Sequence, residues 1–146
     1  MLKIKRLDPD AKLPTKAHPT DSGFDLYALI DTVIPVGGVT TVRTGIAIQL
    51  PPGVWMNIRA KSGLAVKHNL GVTAGVIDNA YRGEYLVAIV NYGNTEYKFK
   101  KGDKVAQAIL TPLLMPRDPN AQEIQEVTEF DMPSDRGEDG FGSSGK

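Results

Sequence analysis

The stretch Gly75-Val76-Ile77-Asp78-Asn79-Ala80-Tyr81-Arg82-Gly83 sets a carboxylate, a phenol and a guanidinium inside a Gly-bounded turn. Such a grouping offers a base for activating water, an aromatic platform and backbone groups for reading the edge of a base. Alone, it reads equally as a hairpin turn with Asp as turn former and Tyr as a cross-strand partner. A second candidate is Ala60-Lys61-Ser62-Gly63-Leu64, where a cation and a hydroxyl stand before a Gly at the start of a short helix. Free N–H groups and the positive end of the helix dipole suit phosphate there, although Lys-Ser-Gly triplets also occur in surface turns. Thr20–Ala28 and Gly102–Gln107 each read as a polar turn entering a strand.

The end of the chain differs in kind. From Pro133, PSDRGEDGFGSSGK is rich in Gly and Ser and holds one large apolar side chain, Phe141. Its composition reads as a disordered terminus. Against that, Arg136 and Phe141 lie five residues apart, and the Phe sits in a Gly-Ser run of potential anion-binding N–H and hydroxyl groups. A flexible arm that closes over a phosphorylated ligand needs those groups.

The elements that must position these residues are short. Ten Pro and fifteen Gly break the sequence of 146 residues, and apolar residues recur in runs with strand character: 39–50, 54–58, 85–91 and 105–110. Turn signals between them predict a sandwich, jelly roll or barrel with one brief helix, from Gly63 to about Asn69. Lys+Arg equals Asp+Glu at 17 each, which argues against a general nucleic-acid binder but allows a local basic pocket. Without Cys there is no disulfide, thiolate nucleophile or Cys-ligated zinc, and two His make a His-based zinc site a poor expectation. No apolar run has the length of a membrane span, so a soluble, cytoplasmic protein with no membrane partner is expected.

Five segments in order, DSGFDLYA (21–28), AKSGLA (60–65), AGVIDNAYRGE (74–84), GDKVAQ (102–107) and RGEDGFGSSG (136–145), resemble the five motifs of the trimeric dUTPase family. Order and spacing match across essentially the whole chain. The resemblance implies an all-β fold, a jelly-roll-like β-barrel of the β-clip type over residues 1–132, with an arm at 133–146. It also implies a homotrimer with shared active sites, each closed by an arm. The implied reaction is Mg²⁺-dependent hydrolysis of dUTP to dUMP and pyrophosphate, which lowers dUTP and supplies dUMP for thymidylate synthesis.

By the same resemblance, Asp78 deprotonates the water that attacks the α-phosphorus, and Tyr81 packs on the deoxyribose. The backbone from Thr73 through Gly75, Val76 and Ile77, with the facing strand near Leu86, reads uracil. Lys61, Ser62, Gly63 and Gln107 hold the triphosphate. Arg136 clamps the phosphates, Phe141 stacks on uracil, and Gly142, Ser143 and Ser144 complete the closed arm. Asp25 is associated with magnesium through water. Two positions depart from the family pattern. Lys61 stands where Arg is usual, keeping the charge but losing the planar fork, and Thr73 stands where Gly is frequent. Two alternatives remain at this point: a dCTP deaminase, which shares the fold and several motifs, and a nucleotide-bound regulator of a protein partner.

Overall fold

Turn residues cut the described chain into eleven short strands and one helix. The structure, a computed structural model, describes residues 2–114 and 124–129. The expected arm, with Arg136, Phe141, Gly142, Ser143 and Ser144, lies outside the described residues. In chain order the elements are β1 (Lys3–Arg6), β2 (Gly23–Tyr27), β3 (Thr32–Ile34), β4 (Val39–Arg43), β5 (Ile46–Gln49), β6 (Val54–Arg59), α1 (Ser62–His68), β7 (Leu70–Thr73), β8 (Val76–Ile77), β9 (Leu86–Asn91), β10 (Tyr97–Phe99) and β11 (Lys104–Pro112). They form an antiparallel four-stranded sheet β2-β11-β6-β8, a three-stranded sheet β4-β9-β7 and the pairs β1-β5 and β3-β10. The all-β class expected from the sequence holds. Among the described residues the ladder is divided among four sheets and does not close as one ring.

The strand periodicity explains the core. Along β9, Val87, Ile89 and Asn91 are buried while the residues between them are not, the two-residue repeat of a strand with one face inward. In β5, Ile46, Ala47 and Ile48 are buried in succession, so this strand is covered on both faces. β11 lies between β2 and β6, and its Ala106 and Ala108 are fully buried. Asn91 is buried without strain: its amide donates to the Ile34 and Thr95 carbonyls and its oxygen accepts from the Gly93 N–H.

Two local expectations change. The apolar run 39–50 is two strands, broken at Gly45 with φ +69°. A Cβ there would also meet the Ala11 Cβ at 2.9 Å, so the chain can turn sharply only because no side chain is present. The expected hairpin around Gly75–Gly83 is instead a crossing between sheets. β7 pairs with β9, whereas β8 pairs with β6. The change of partner occurs at Ala74, with φ +51°, and Gly75, where a Cβ would lie 2.3 Å from the Ile58 carbonyl oxygen. That contact cannot be relieved by a side-chain movement, so Gly75 is required for the crossing.

Tyr85 is the largest fully buried side chain, and its hydroxyl has no hydrogen-bond partner among the described residues. Burial pushes that phenol up to about 12, against a smaller opposing influence of Arg82. Tyr85→Phe is therefore expected to match or exceed the parent stability in urea, since an unpartnered buried polar group costs about 1–3 kcal/mol. Tyr85→Ala is expected to lose about 3–5 kcal/mol through the cavity it leaves. A clear loss on Tyr85→Phe would show that the hydroxyl is bonded in solution.

Candidate functional site

The central strand β11 brings the first group of sequence-predicted residues together. Its Gln107 is in register with Asp25 of β2 on one side and Arg59 of β6 on the other. The Gln107 amide donates to the Ala60 carbonyl at 3.0 Å, which fixes the chain just beyond β6. A register shift between Lys104 and Ala106 accompanies the approach of Lys104 to Asp25. Its Nζ lies 2.6 Å from Oδ2, while Lys61 Nζ donates to Oδ1.

Asp25 is thus an ionised hub between two ammonium groups, with a side chain only 10% exposed. Burial pushes its carboxyl upward, but the bonds and charges of Lys104 and Lys61 outweigh this and hold it below its ordinary value of 3.8. The same contact raises Lys104. Sequence reading assigned Lys104 no role, because its partner is more than seventy residues away. An acid and a cation in two of the five motifs were the available signal.

Lys61 also begins helix α1. It has extended backbone angles and makes no side-chain cap, and the first helical turn contains no acid. The Ala65 N–H closes the first helical bond onto the Lys61 carbonyl, which leaves the N–H groups of Ser62, Gly63 and Leu64 without helical partners. Ser62 and Gly63 are exposed. The helix closes at Asn69, in the left-handed region at φ +52°, an Asn substitute for the usual Gly.

The second group lies along β8 and the turn after it. Gly75 accepts the Ile58 N–H at 2.7 Å, and Val76 and Ile77 pair with Asn57 and Met56. Asp78 follows, exposed; its backbone carbonyl accepts the Tyr81 N–H, and its side chain has no partner among the described residues. The Tyr81 hydroxyl donates to the Glu84 carbonyl at 3.0 Å, and a Cβ at Gly83 would lie 2.4 Å from that hydroxyl. The Gly-bounded turn therefore fixes the ring. Glu84 in turn accepts from the Gly45 N–H at 2.8 Å and from Arg43 at 3.2 Å. Thr73 and Leu86 are both exposed; Thr73 faces Ala88, and Leu86 faces Arg43.

Asp78 and Lys61 lie towards opposite ends of β6: extending the β6–β8 register sets Asp78 beside Trp55, near its start, whereas Lys61 follows its last residue, Arg59, by two positions. Near the Lys61 end, a recess of about 430 Å³ is lined by Arg59, Ala60, Asn69 and Tyr92 among others. It includes Ala60 and Ala65 of the second motif, but none of the residues given a role from sequence. No group of three His, Cys, Asp or Glu side chains could hold a metal, and no helix is long and apolar enough to cross a membrane, among the described residues.

A sequence model of the dUTPase family matches residues 9–145. The deoxyuridine 5'-triphosphate nucleotidohydrolase of Clostridioides difficile is 42% identical over 146 residues, covering 99% of this chain and 97% of the relative. That of Gloeothece citriformis is 43% identical over 148 residues, covering 99% and 96%. Among solved structures, the Staphylococcus bacteriophage 80alpha dUTPase with dUpNHpp superposes with a TM-score of 0.90 at 27% identity, covering 100% of this chain and 99% of that one.

The Asp25 hub predicts a pH signature. A carboxyl depressed in the folded state contributes stability above its unfolded value and loses it as pH falls through the folded value. Asp25→Asn is therefore expected to melt below the parent at neutral pH, with the gap closing once pH falls beneath the 3.8 of the free group. Thermal midpoints measured across that range check this, and an undiminished gap in acid would remove the charge pairs as its cause.

Proposed function

The chain belongs to the dUTPase family, and we propose that it hydrolyses dUTP to dUMP and pyrophosphate at a site built from the two residue groups above. The observation that carries the mechanism is Asp78: an exposed carboxylate, without a side-chain partner among the described residues, beside backbone held in a strand crossing. Such a carboxylate accepts a proton from water while the water oxygen bonds to the α-phosphorus. The bond from that phosphorus to the bridging oxygen breaks, and pyrophosphate leaves with the electron pair. Membership of this family sets aside the deaminase alternative.

Around that step, the Tyr81 ring, fixed by its bond to Glu84, supports the sugar and leaves no room for a 2′-hydroxyl. Backbone groups from Thr73 to Ile77, with Leu86 at the rim, read the uracil edge. The free N–H groups at Ser62 and Gly63, the Ser62 hydroxyl, Lys61 and Gln107 take the phosphates. Arg136, Phe141, Gly142, Ser143 and Ser144 close the arm over them, in the role the motif resemblance gives.

The residues suit a magnesium ion carried on the substrate's own phosphates and held to the protein through water. Both Asp25 oxygens bond an ammonium group, yet an ionised carboxylate has about four acceptor positions, so two remain for water hydrogens. When bound, the ion offsets charge on the phosphates. Asp25 also keeps Lys61 and Lys104 oriented around that position.

The placement of Asp78 and Lys61 at opposite ends of β6 supports the homotrimer with shared sites that the motif resemblance implies. With Asp78 beside the start of β6 and Lys61 beyond its end, one triphosphate draws the two from different chains. A second copy contributes the phosphate-binding group to the first copy's Asp78.

Product analysis with each deoxynucleoside triphosphate and Mg²⁺ should show pyrophosphate release from dUTP alone; comparable turnover of dCTP or dTTP would overturn the assignment. Asp78→Asn should retain dUTP binding and lower turnover by about 100-fold or more. Mixing inactive Asp78→Asn chains with inactive Lys61→Ala chains, then allowing subunits to exchange, should restore activity because some sites draw both intact groups from different chains. Mixtures as inactive as their parents would show that each chain carries a whole site.

A further inference from the structure

We infer that Asn79 positions Asp78, its side-chain amide taking over from the strand ladder where that ladder stops. This rests on the reading of Asp78 as the general base and adds the residue that aims it. The β6–β8 pairing ends at Met56 and Ile77, one residue before Asp78. Two residues past that pair, Asn79 Nδ2 donates to the Val54 carbonyl at 2.8 Å and to the Pro51 carbonyl at 2.7 Å. Both partners are acceptors, so the amide has one orientation that satisfies them, and both of its hydrogens are used.

Asp78 is therefore fastened on both sides, by the ladder before it and by the Asn79 amide after it. Its own side chain has no partner among the described residues, so the direction of the carboxylate is set by this backbone alone. The anchor is itself fixed: Val54 pairs with Pro112 of β11, and the Leu113 N–H donates to the Gly53 carbonyl at 2.8 Å. The Tyr81 N–H closes the turn onto the Asp78 carbonyl, which ties the aromatic platform to the same clamp. Asn79 touches no reacting atom in this account. It is a positioning residue, and its loss releases the Asp78 backbone from the 51–54 turn.

Asn79→Ala, which removes both donors and no core side chain, should lower kcat by about 10- to 100-fold, the scale of a small misplacement of a reacting group. KM should stay within about twofold, because the phosphate-binding residues lie elsewhere and the Tyr81 ring keeps its own bond to the Glu84 carbonyl. Asn79→Ser, able to donate one bond, should fall between Ala and the parent. The decisive measurement is a double-mutant cycle with Asp78→Asn. If Asn79 acts through Asp78, adding Asn79→Ala to Asp78→Asn lowers kcat no further. Equal fold-losses on the two backgrounds overturn the inference, as does unchanged kcat per folded chain with only the thermal midpoint reduced. Full activity of Asp78→Asn itself would instead reject the catalytic reading on which the inference rests.

Discussion

Strand β6 is the reference on which both functional groups depend. On one edge it pairs with β11, which sets Gln107 opposite Arg59 and carries Asp25 in on the far side. On the other edge it pairs with β8, which delivers Asp78 to the opposite end. Because side chains alternate at every residue, a slip of one position on either edge would turn the functional side chains to the wrong face. The registers are secured from outside the ladder as well. Gln107 bonds the Ala60 carbonyl at one end, and Asn79 bonds the Val54 and Pro51 carbonyls at the other. The chemistry is thus distributed along a rigid element, and the loops inherit their placement from it.

Much of this was legible in the residues. The short strands and the single helix follow from alternating apolar runs punctuated by Gly and Pro. The motif residues stand out because each proposed role restricts the residue type: a carboxylate for the base, a ring for the sugar, a Gly where backbone must pass close. What the sequence concealed are relations between distant positions. The crossing at Ala74 and Gly75 reads as a hairpin because a non-Gly residue in the left-handed region carries no mark in the sequence, and the Ile58 carbonyl close to Gly75 lies seventeen residues away. Lys104 resembled a turn residue because its partner, Asp25, is reached only through strand pairing. Asn79 resembled a spacer between Asp78 and Tyr81. A signal did exist nearby, in Pro51-Pro52-Gly53, a turn short of backbone donors whose carbonyls need a partner from elsewhere.

The replacement of the family's usual Arg by Lys61 takes a different meaning in the fold. An Arg would present two parallel donors to a carboxylate or a phosphate. Lys61 instead makes a single bond to one oxygen of Asp25, and Lys104 supplies the bond to the other. Two point charges on separate elements do what one planar fork would do in part. The arrangement couples the start of helix α1 to β2 and β11 through one buried carboxylate, so the Lys61–Gly63 turn and the central sheet share a common electrostatic centre.

That centre also differs from the exposed ion pairs in its response to ionic strength. The pairs Lys98–Glu96, Lys100–Asp31 and Lys101–Asp10 join side chains that are each more than half exposed, and dissolved salt with a screening length of about 8 Å at physiological strength weakens such pairs readily. Asp25 is sheltered from mobile ions, so its two bonds persist where the surface pairs fade. In concentrated salt the outer pairs therefore weaken first, while the link that Asp25 makes between helix α1, β2 and β11 is screened least.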